Sequence, residues 1–383
     1  MIDNASRFIG AFTGFAVGDA FGYPCRELTF QRICSRFEKK GCLRLAVSNK
    51  TNTALFTDAT QMTLFTTDGI LWAALSSGKE GVNYTEYVFY AYQLWLYTQT
   101  KTIAGEEYSW LFDKNQNPYK SKLLKTKGLY QSRFTDPVNV KELSRIRNSS
   151  YGTLTAPLNR FTDSGAVKRV LPAGLFFNYD TEIAFRAGVD FAAITHTSPV
   201  SYLSAGVYAA VIAELINGEN IDDAIEKASQ ILKTYKNHEE VSLIIDKVQN
   251  SLEDDSIAPL DVIDYIGTED NAAQVLGIAL FCAALFEDNF ANAIRLAANH
   301  NGVSDACAAM AGGLLGAYHG AGFVPKKWVT KLSHLRLVED IAISLVENSY
   351  FDENKGESPS EVSNAAAGAF EDDEDDFDSF FGD

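Results

Sequence analysis

The sequence predicts an all-α fold, and three observations carry that prediction. Apolar residues recur three and four positions apart through most of residues 4–348, the spacing that places them on one face of a helix. No series of segments alternates apolar and polar residues with the period of two that half-buried strands require. No block recurs at a fixed period, so the chain is not a stacked-repeat solenoid. With 383 residues, 46% of them hydrophobic, there is enough material for a sizeable core.

Taken in order, residues 4–21 are rich in Ala, Gly and Phe at spacings of three and four. They predict a helix pressed close to a neighbour, because glycine lets backbones approach. Residues 59–77 give a second apolar helix. Tyr84 to Thr98 carries Tyr84, Tyr87, Tyr90, Tyr92, Trp95 and Tyr97, an aromatic helix read as core rather than as a stacking platform. Across 100–165 Tyr, Asn, Lys, Ser and Pro dominate and the periodicity fades. This predicts a long, partly ordered excursion with short helices, of a length that is often functional in compact domains. Helical patterns resume over Gly165–Phe177, Thr181–His196, Ser201–Gly218, Ile221–Thr234, Val241–Leu252, Ala272–Phe286, Asn289–His300 and Asp305–Tyr318. Trp328–Asn348 closes the body.

The end of the chain has a different composition. Of the net charge of −17, residues 352–383 contribute −11 (twelve acids, one lysine), leaving −6 for the body. Residues 353–383 contain six consecutive acids, Glu371 to Asp376, followed by Phe377, Phe380 and Phe381. Like charges repel and little apolar surface is available to bury, so a disordered acidic tail is expected. Those three phenylalanines are candidate partner-binding residues within it. The body shows no concentrated basic patch, which argues against nucleic acid. The locally basic Lys120 to Lys127 reads as a solvated face. The longest stretch free of strongly polar residues is Ala306 to Tyr318, 13 residues and too short to span a bilayer. Met1-Ile2-Asp3-Asn4 lacks the basic start of a signal peptide. Cys25, Cys34, Cys42, Cys282 and Cys307 are odd in number without a CxxC pair, and read as reduced thiols of a cytoplasmic protein.

Three segments stand out for chemistry: Gly14-Phe15-Ala16-Val17-Gly18-Asp19 continuing to Pro24, Phe56-Thr57-Asp58-Ala59-Thr60, and Asn301-Gly302-Val303-Ser304-Asp305-Ala306 running into Gly312-Gly313. With Leu94 to Gln99, Val167-Lys168-Arg169-Val170-Leu171-Pro172 and Thr195-His196-Thr197-Ser198-Pro199, they follow one another in an order and spacing that resembles the ADP-ribosylglycohydrolase family over most of residues 8–345. The resemblance implies a compact helical bundle over residues 1–350. It also implies a site in which two magnesium ions, held by aspartates and threonines on two helix starts, split ADP-ribose from modified targets.

Against that pattern the chain departs at four places. The family's Thr-Asp-Asp-Thr reads Thr57-Asp58-Ala59-Thr60, and its Asp-x-Asp-Ser/Thr reads Val303-Ser304-Asp305-Ala306. Thr57, Asp58 and Asp305 remain as residual metal ligands, whereas Ala59, Val303 and Ala306 offer no side-chain oxygen. Magnesium wants about six oxygens in near-octahedral geometry, and two ions ~4 Å apart need several carboxylates to offset their charge. The expected cofactor is therefore none, or one weak magnesium. The family's glutamate two residues past the proline is Arg26 here, which favours anions; Glu27 could act as base only if the loop shifted by one residue. The phosphate-contacting glycine loop reads Phe161-Thr162-Asp163-Ser164-Gly165. Ser164, Gly165, Arg26 and His196 are the candidate cleft residues, with Asp163 placing negative charge where phosphates would lie.

A bland reading stands beside each of these. Thr57, Asp58, Ser304 and Asp305 are good helix caps. Asp19 reads as a buried, hydrogen-bonded structural carboxylate, and His196 and His319 as satisfied structural histidines. Four departures in one site read as a catalytically degenerate family member that acts by binding. The expected partner is a protein such as an ADP-ribosyltransferase toxin or effector, occluded as immunity proteins do. The alternatives are a hydrolase with a reduced magnesium site, and a metal-free binder of ADP-ribose or a related nucleotide.

Overall fold

The computed structural model describes residues 3–76, 81–100, 111, 121–146, 150–254 and 256–349. The acidic tail with Phe377, Phe380 and Phe381 lies outside the described residues, as do 101–110 and 112–120 of the excursion. Among the described residues there is no β-sheet, only the isolated bridges Glu38–Gly41 and Ala54–Leu332, so the all-α expectation holds.

The centre of the bundle is the antiparallel pair of Asn4–Gly22 and Ser304–His319. Glycines four residues apart on both helices make this contact. A Cβ on Gly14 would lie 2.2 Å from the Gly312 carbonyl oxygen, and one on Gly18 would lie 2.0 Å from that of Ala308. No side chain fits there, so the backbones touch, as the Gly-rich pattern predicts. The register sets Gly22, at the end of the first helix, against Ser304 and Asp305 at the start of the other. Segments more than 280 residues apart in sequence thereby meet at one end of the bundle.

Around this pair pack Asp58–Ser76, Tyr84–Thr100, Thr181–Ala193, Pro199–Ile216 and Ala272–Leu285. Trp95 is fully buried, with its indole N–H donating to Gln61 Oε1 at 3.2 Å, and Tyr92 is buried beside it, so the aromatic helix is core. Pro199–Ile216 corrects the estimate of apolar length. At 18 residues and mean hydropathy 1.5 it is long and apolar enough to cross a membrane, yet 89% of it is buried in the fold. It carries Ser201 inside, because a small hydroxyl buries readily when it finds a carbonyl, here Phe161 O, 2.9 Å away.

Two expected helices are broken. Gly165–Phe177 becomes a 3₁₀ turn, Val167–Arg169, followed by Leu171–Phe176 with Pro172 in its first turn, where a missing N–H costs nothing. Trp328–Asn348 divides into Lys326–Val329 and Leu335–Asn348, interrupted at His334, whose φ of 57° is left-handed. Short helices at Phe30–Arg36 and Pro259–Ile266 were not anticipated. Within the excursion, the described part holds two 3₁₀ turns and the helix Pro137–Arg145. Lys122, Lys125 and Lys127 face solvent there. All five cysteines are free thiols.

Candidate functional site

At the end of the bundle where the two central helices meet, four segments bring buried charge together. Asp19, on the last turns of the first helix, is fully buried. Its carboxylate accepts from the amides of Thr57 at 3.0 and 3.1 Å and Thr60 at 3.0 Å, and from the Thr60 hydroxyl at 2.5 Å. It therefore ties the start of Asp58–Ser76 to the first helix. Burial, and then the charge of Asp305, push its pKa up to about 7. Thr57 caps the same helix, accepting from Ala59 N at 3.2 Å.

Asp58 is fully buried, and both its oxygens are taken. Oδ1 accepts from the Lys168 ammonium at 2.9 Å and Oδ2 from the Asp136 amide at 2.9 Å. Lys168 is itself fully buried. Burial works against its charge, but Asp58, with help from Asp136 and Asp305, outweighs this and holds its pKa above the usual lysine value. Asp305 sits in the first turn of its helix, where Oδ2 accepts from Arg26 Nη1 at 2.7 Å. Val303, not Ser304 or Asp305, occupies the cap position, and no side chain caps this end. Oδ1 of Asp305 and the Ser304 hydroxyl are buried with no hydrogen-bond partner among the described residues. Arg26 is 7% exposed; burial opposes its charge, and Asp305 and then Asp58 raise its pKa despite that.

Ala59, Val303 and Ala306 are buried beside these carboxylates, and their side chains carry no donor atom. Glu27 takes a left-handed conformation, φ 60°, with its amide donating to Gly302 O at 2.9 Å. Its side chain is 65% exposed and approaches Arg26 Nε at 3.4 Å, so the loop keeps arginine inside and glutamate outside. Phe134 completes the rim, an exposed ring at φ 48° lying 5.2 Å from the Arg26 guanidinium and edge-on to Tyr23.

The remaining cleft residues form a second cluster. His196 is fully buried; Nε2 meets Asp163 Oδ1 at 2.8 Å and Nδ1 meets the Thr195 hydroxyl at 2.8 Å. Burial opposes ionisation of Asp163, but the His196 hydrogen bond and charge outweigh it and hold the pKa near 2. Asp136, Asp163 and His196 each bring one potential ligand atom within 4.8 Å of the others. Gly165 packs tightly here: a Cβ would lie 2.6 Å from Asp136 Oδ2 and would displace that carboxylate. Its amide donates to Asp163 Oδ1 at 3.1 Å, while the Ser164 hydroxyl is buried without a hydrogen-bond partner among the described residues. Beneath, the fully buried Arg169 donates to Asn139 Oδ1 at 2.7 Å and Thr195 Oγ1 at 2.8 Å, and lies 4.2 Å from the Tyr92 ring centroid. His319 Nε2 meets Glu287 O at 3.0 Å and its ring stacks on Phe323.

Thus Asp58, Asp305, Arg26 and Thr57 share one site, and His196, Ser164 and Gly165 line its flank. Sequence reasoning did not assign Lys168 or Asp136 a role. The signal available for Lys168 was two cations inside the apolar run Ala166 to Leu171.

The all-helical bundle is the fold of ADP-ribosylglycohydrolases. The family model described as ADP-ribosylglycohydrolase matches residues 1–355, and the chain belongs to that family. An ADP-ribosylarginine hydrolase, Tri1 of Pseudomonas putida (strain GB-1), is 24% identical over 186 residues, which is 49% of this chain and 46% of the relative. The match therefore spans less than half of that relative's length. A solved structure titled ADP-ribosylglycohydrolase-related protein complex superposes with a TM-score of 0.61 over 91% of this chain and 99% of that one, at 19% identity, a likeness of fold.

Proposed function

We propose that this protein is a catalytically degenerate ADP-ribosylglycohydrolase that acts by binding rather than by two-metal hydrolysis. One observation carries the reading. The two carboxylates kept from the metal-binding segments, Asp58 and Asp305, are each neutralised by a buried cation of the chain's own, Lys168 and Arg26. The donor set does not fit a pair of magnesium ions. Positions 59, 303 and 306 contribute no side-chain oxygen, Thr57 Oγ1 already serves as a cap, and both oxygens of Asp58 are engaged. A divalent ion placed ~4 Å from the Lys168 ammonium would meet a repulsion of about 8 kcal/mol at an effective dielectric constant near 20. Arg26 at the position of the family's glutamate, and Glu27 in solvent, leave no carboxylate there to activate water.

The bound partner on this reading is a protein, with an ADP-ribosyltransferase the candidate. The acidic tail suits the positive cleft in which such an enzyme holds an anionic dinucleotide. The relative's name supplies the substrate class for the opposing reading, ADP-ribosylarginine. The test is calorimetric titration of magnesium, then of ADP-ribose with and without it, alongside a hydrolase assay on ADP-ribosylarginine protein. No magnesium binding up to millimolar and no release of ADP-ribose are expected. Micromolar magnesium binding with turnover would overturn the reading and favour a hydrolase working from the open Oδ1 of Asp305. Capture of an ADP-ribosyltransferase by the full chain, compared with a chain ending at residue 352, tests the partner and the tail.

A further inference from the structure

The two ion pairs have more in common than charge balance. Each joins a carboxylate at the start of a helix to a cation delivered by a short turn from elsewhere in the chain. Lys168 comes from Val167–Arg169 and Arg26 from the turn that ends the first helix segment. Lys168 Nζ stands 2.9 Å from Asp58 Oδ1 with both side chains fully buried, and Arg26 Nη1 stands 2.7 Å from Asp305 Oδ2 with side chains 6% and 0% exposed. The pairs are not independent. Arg26 feels Asp58 as well as Asp305, Lys168 feels Asp305 as well as Asp58, and the two cations repel each other. Two buried cations are thus each set against a buried carboxylate of the same site. Surface ion pairs do not require this arrangement, and most contribute little.

We infer that the Lys168 ammonium and the Arg26 guanidinium are tethered replacements for the family's two divalent ions, making the site's cation requirement part of the covalent chain. The inference rests on the binding-protein reading and deepens it: the site keeps its shape in the complete absence of free metal. A corollary follows from the geometry. Deleting the ammonium would leave a lysine-sized space beside Asp58 Oδ1, in the field of Asp136 and Asp305, where oxygen donors without a counter-ion suit a hard divalent cation. Deleting the guanidinium would free Asp305 Oδ2 next to the already open Oδ1.

The experiment is thermal unfolding and calorimetry of the full chain in EDTA, in magnesium chloride and in calcium chloride. It is done for the wild type, Lys168→Ala, Arg26→Ala and the charge-neutral pair Lys168→Met with Asp58→Asn. Expected are a wild type and a neutral pair whose Tm does not respond to either ion. Lys168→Ala or Arg26→Ala should have a lowered Tm that a saturating divalent ion raises by about 5 °C. If Lys168→Ala does not fold in EDTA, its refolding yield with and without magnesium and the behaviour of Arg26→Ala decide the matter. If neither single variant responds to magnesium or calcium, the tethered-cation inference is overturned while the binding-protein reading stands. A wild type that itself binds magnesium and turns over substrate overturns the reading beneath it.

Discussion

Replacing both members of the Asp58–Lys168 pair should cost far less than replacing either one. At 2.9 Å between Oδ1 and Nζ, the Coulomb attraction is about 6 kcal/mol at an effective dielectric constant near 20. Neither side chain has exposed surface through which water could screen a lone charge. Asp58→Asn would strand the Lys168 ammonium, while its amide oxygen could still accept from the Asp136 N–H now bound at 2.9 Å. Lys168→Met would strand the carboxylate. Each single change is expected to cost about 3–5 kcal/mol, the usual loss when one partner of a buried pair is removed. The double variant has no unpaired charge and keeps comparable volume, so it should lie within about 2 kcal/mol of wild type. The assay is urea unfolding at pH 7 in EDTA, read as midpoint and slope for all four proteins. Raising salt from 0.1 to 1 M should not change the coupling, because buried charges are little screened. If the double variant loses the sum of the two single losses, the residues are not a mutually neutralising unit, and the account of the site given above is wrong.

Other outcomes follow from the same geometry. Gly18→Val places a branched side chain where a Cβ alone would be 2.0 Å from Ala308 O; it should cost more than about 3 kcal/mol and lower Tm markedly in calorimetry. Asp163 has a folded-state pKa near 2, below the ordinary 3.8, so its ionised form adds about 2 kcal/mol of stability above pH 4, lost as pH falls toward 2. Asp163→Asn should therefore unfold earlier in urea at pH 7 and converge with wild type near pH 2. Arg169→Lys removes the planar fork that reaches Asn139 and Thr195 together, and should cost about 2–4 kcal/mol by chemical denaturation despite retaining the charge.

The sequence alone was enough for the elements with strong periodicity. Asn4–Gly22 and Ser304–His319 fall within two residues of their expected ends, and their glycine spacing foretold a close backbone contact. The same reading placed Asp19 as a buried, hydrogen-bonded carboxylate, and the family resemblance brought Asp58 and Asp305 forward as candidates for one site. It misjudged the segments around residues 165–177 and 328–348, where the apolar pattern continues through a turn. Periodicity records which residues are buried, not whether the backbone carrying them is continuous. Pro172 is a break signal that the sequence itself carries, whereas the left-handed backbone at His334 is visible only in the structure.

Local patterning along the chain thus determined the fold class and the helical core, and the family resemblance picked out Asp58 and Asp305. What answers those acids was decided by tertiary structure alone. Lys168 meets Asp58 across 110 positions and Arg26 meets Asp305 across 279, and no local rule couples residues so far apart. Nor could sequence distinguish Arg26 turned inward from Glu27 turned inward. The left-handed backbone at Glu27 and its amide bond to Gly302 O settle that choice. Side-chain charge is written in the sequence, but its counter-ion depends on which helix ends the packing of the core brings within 3 Å.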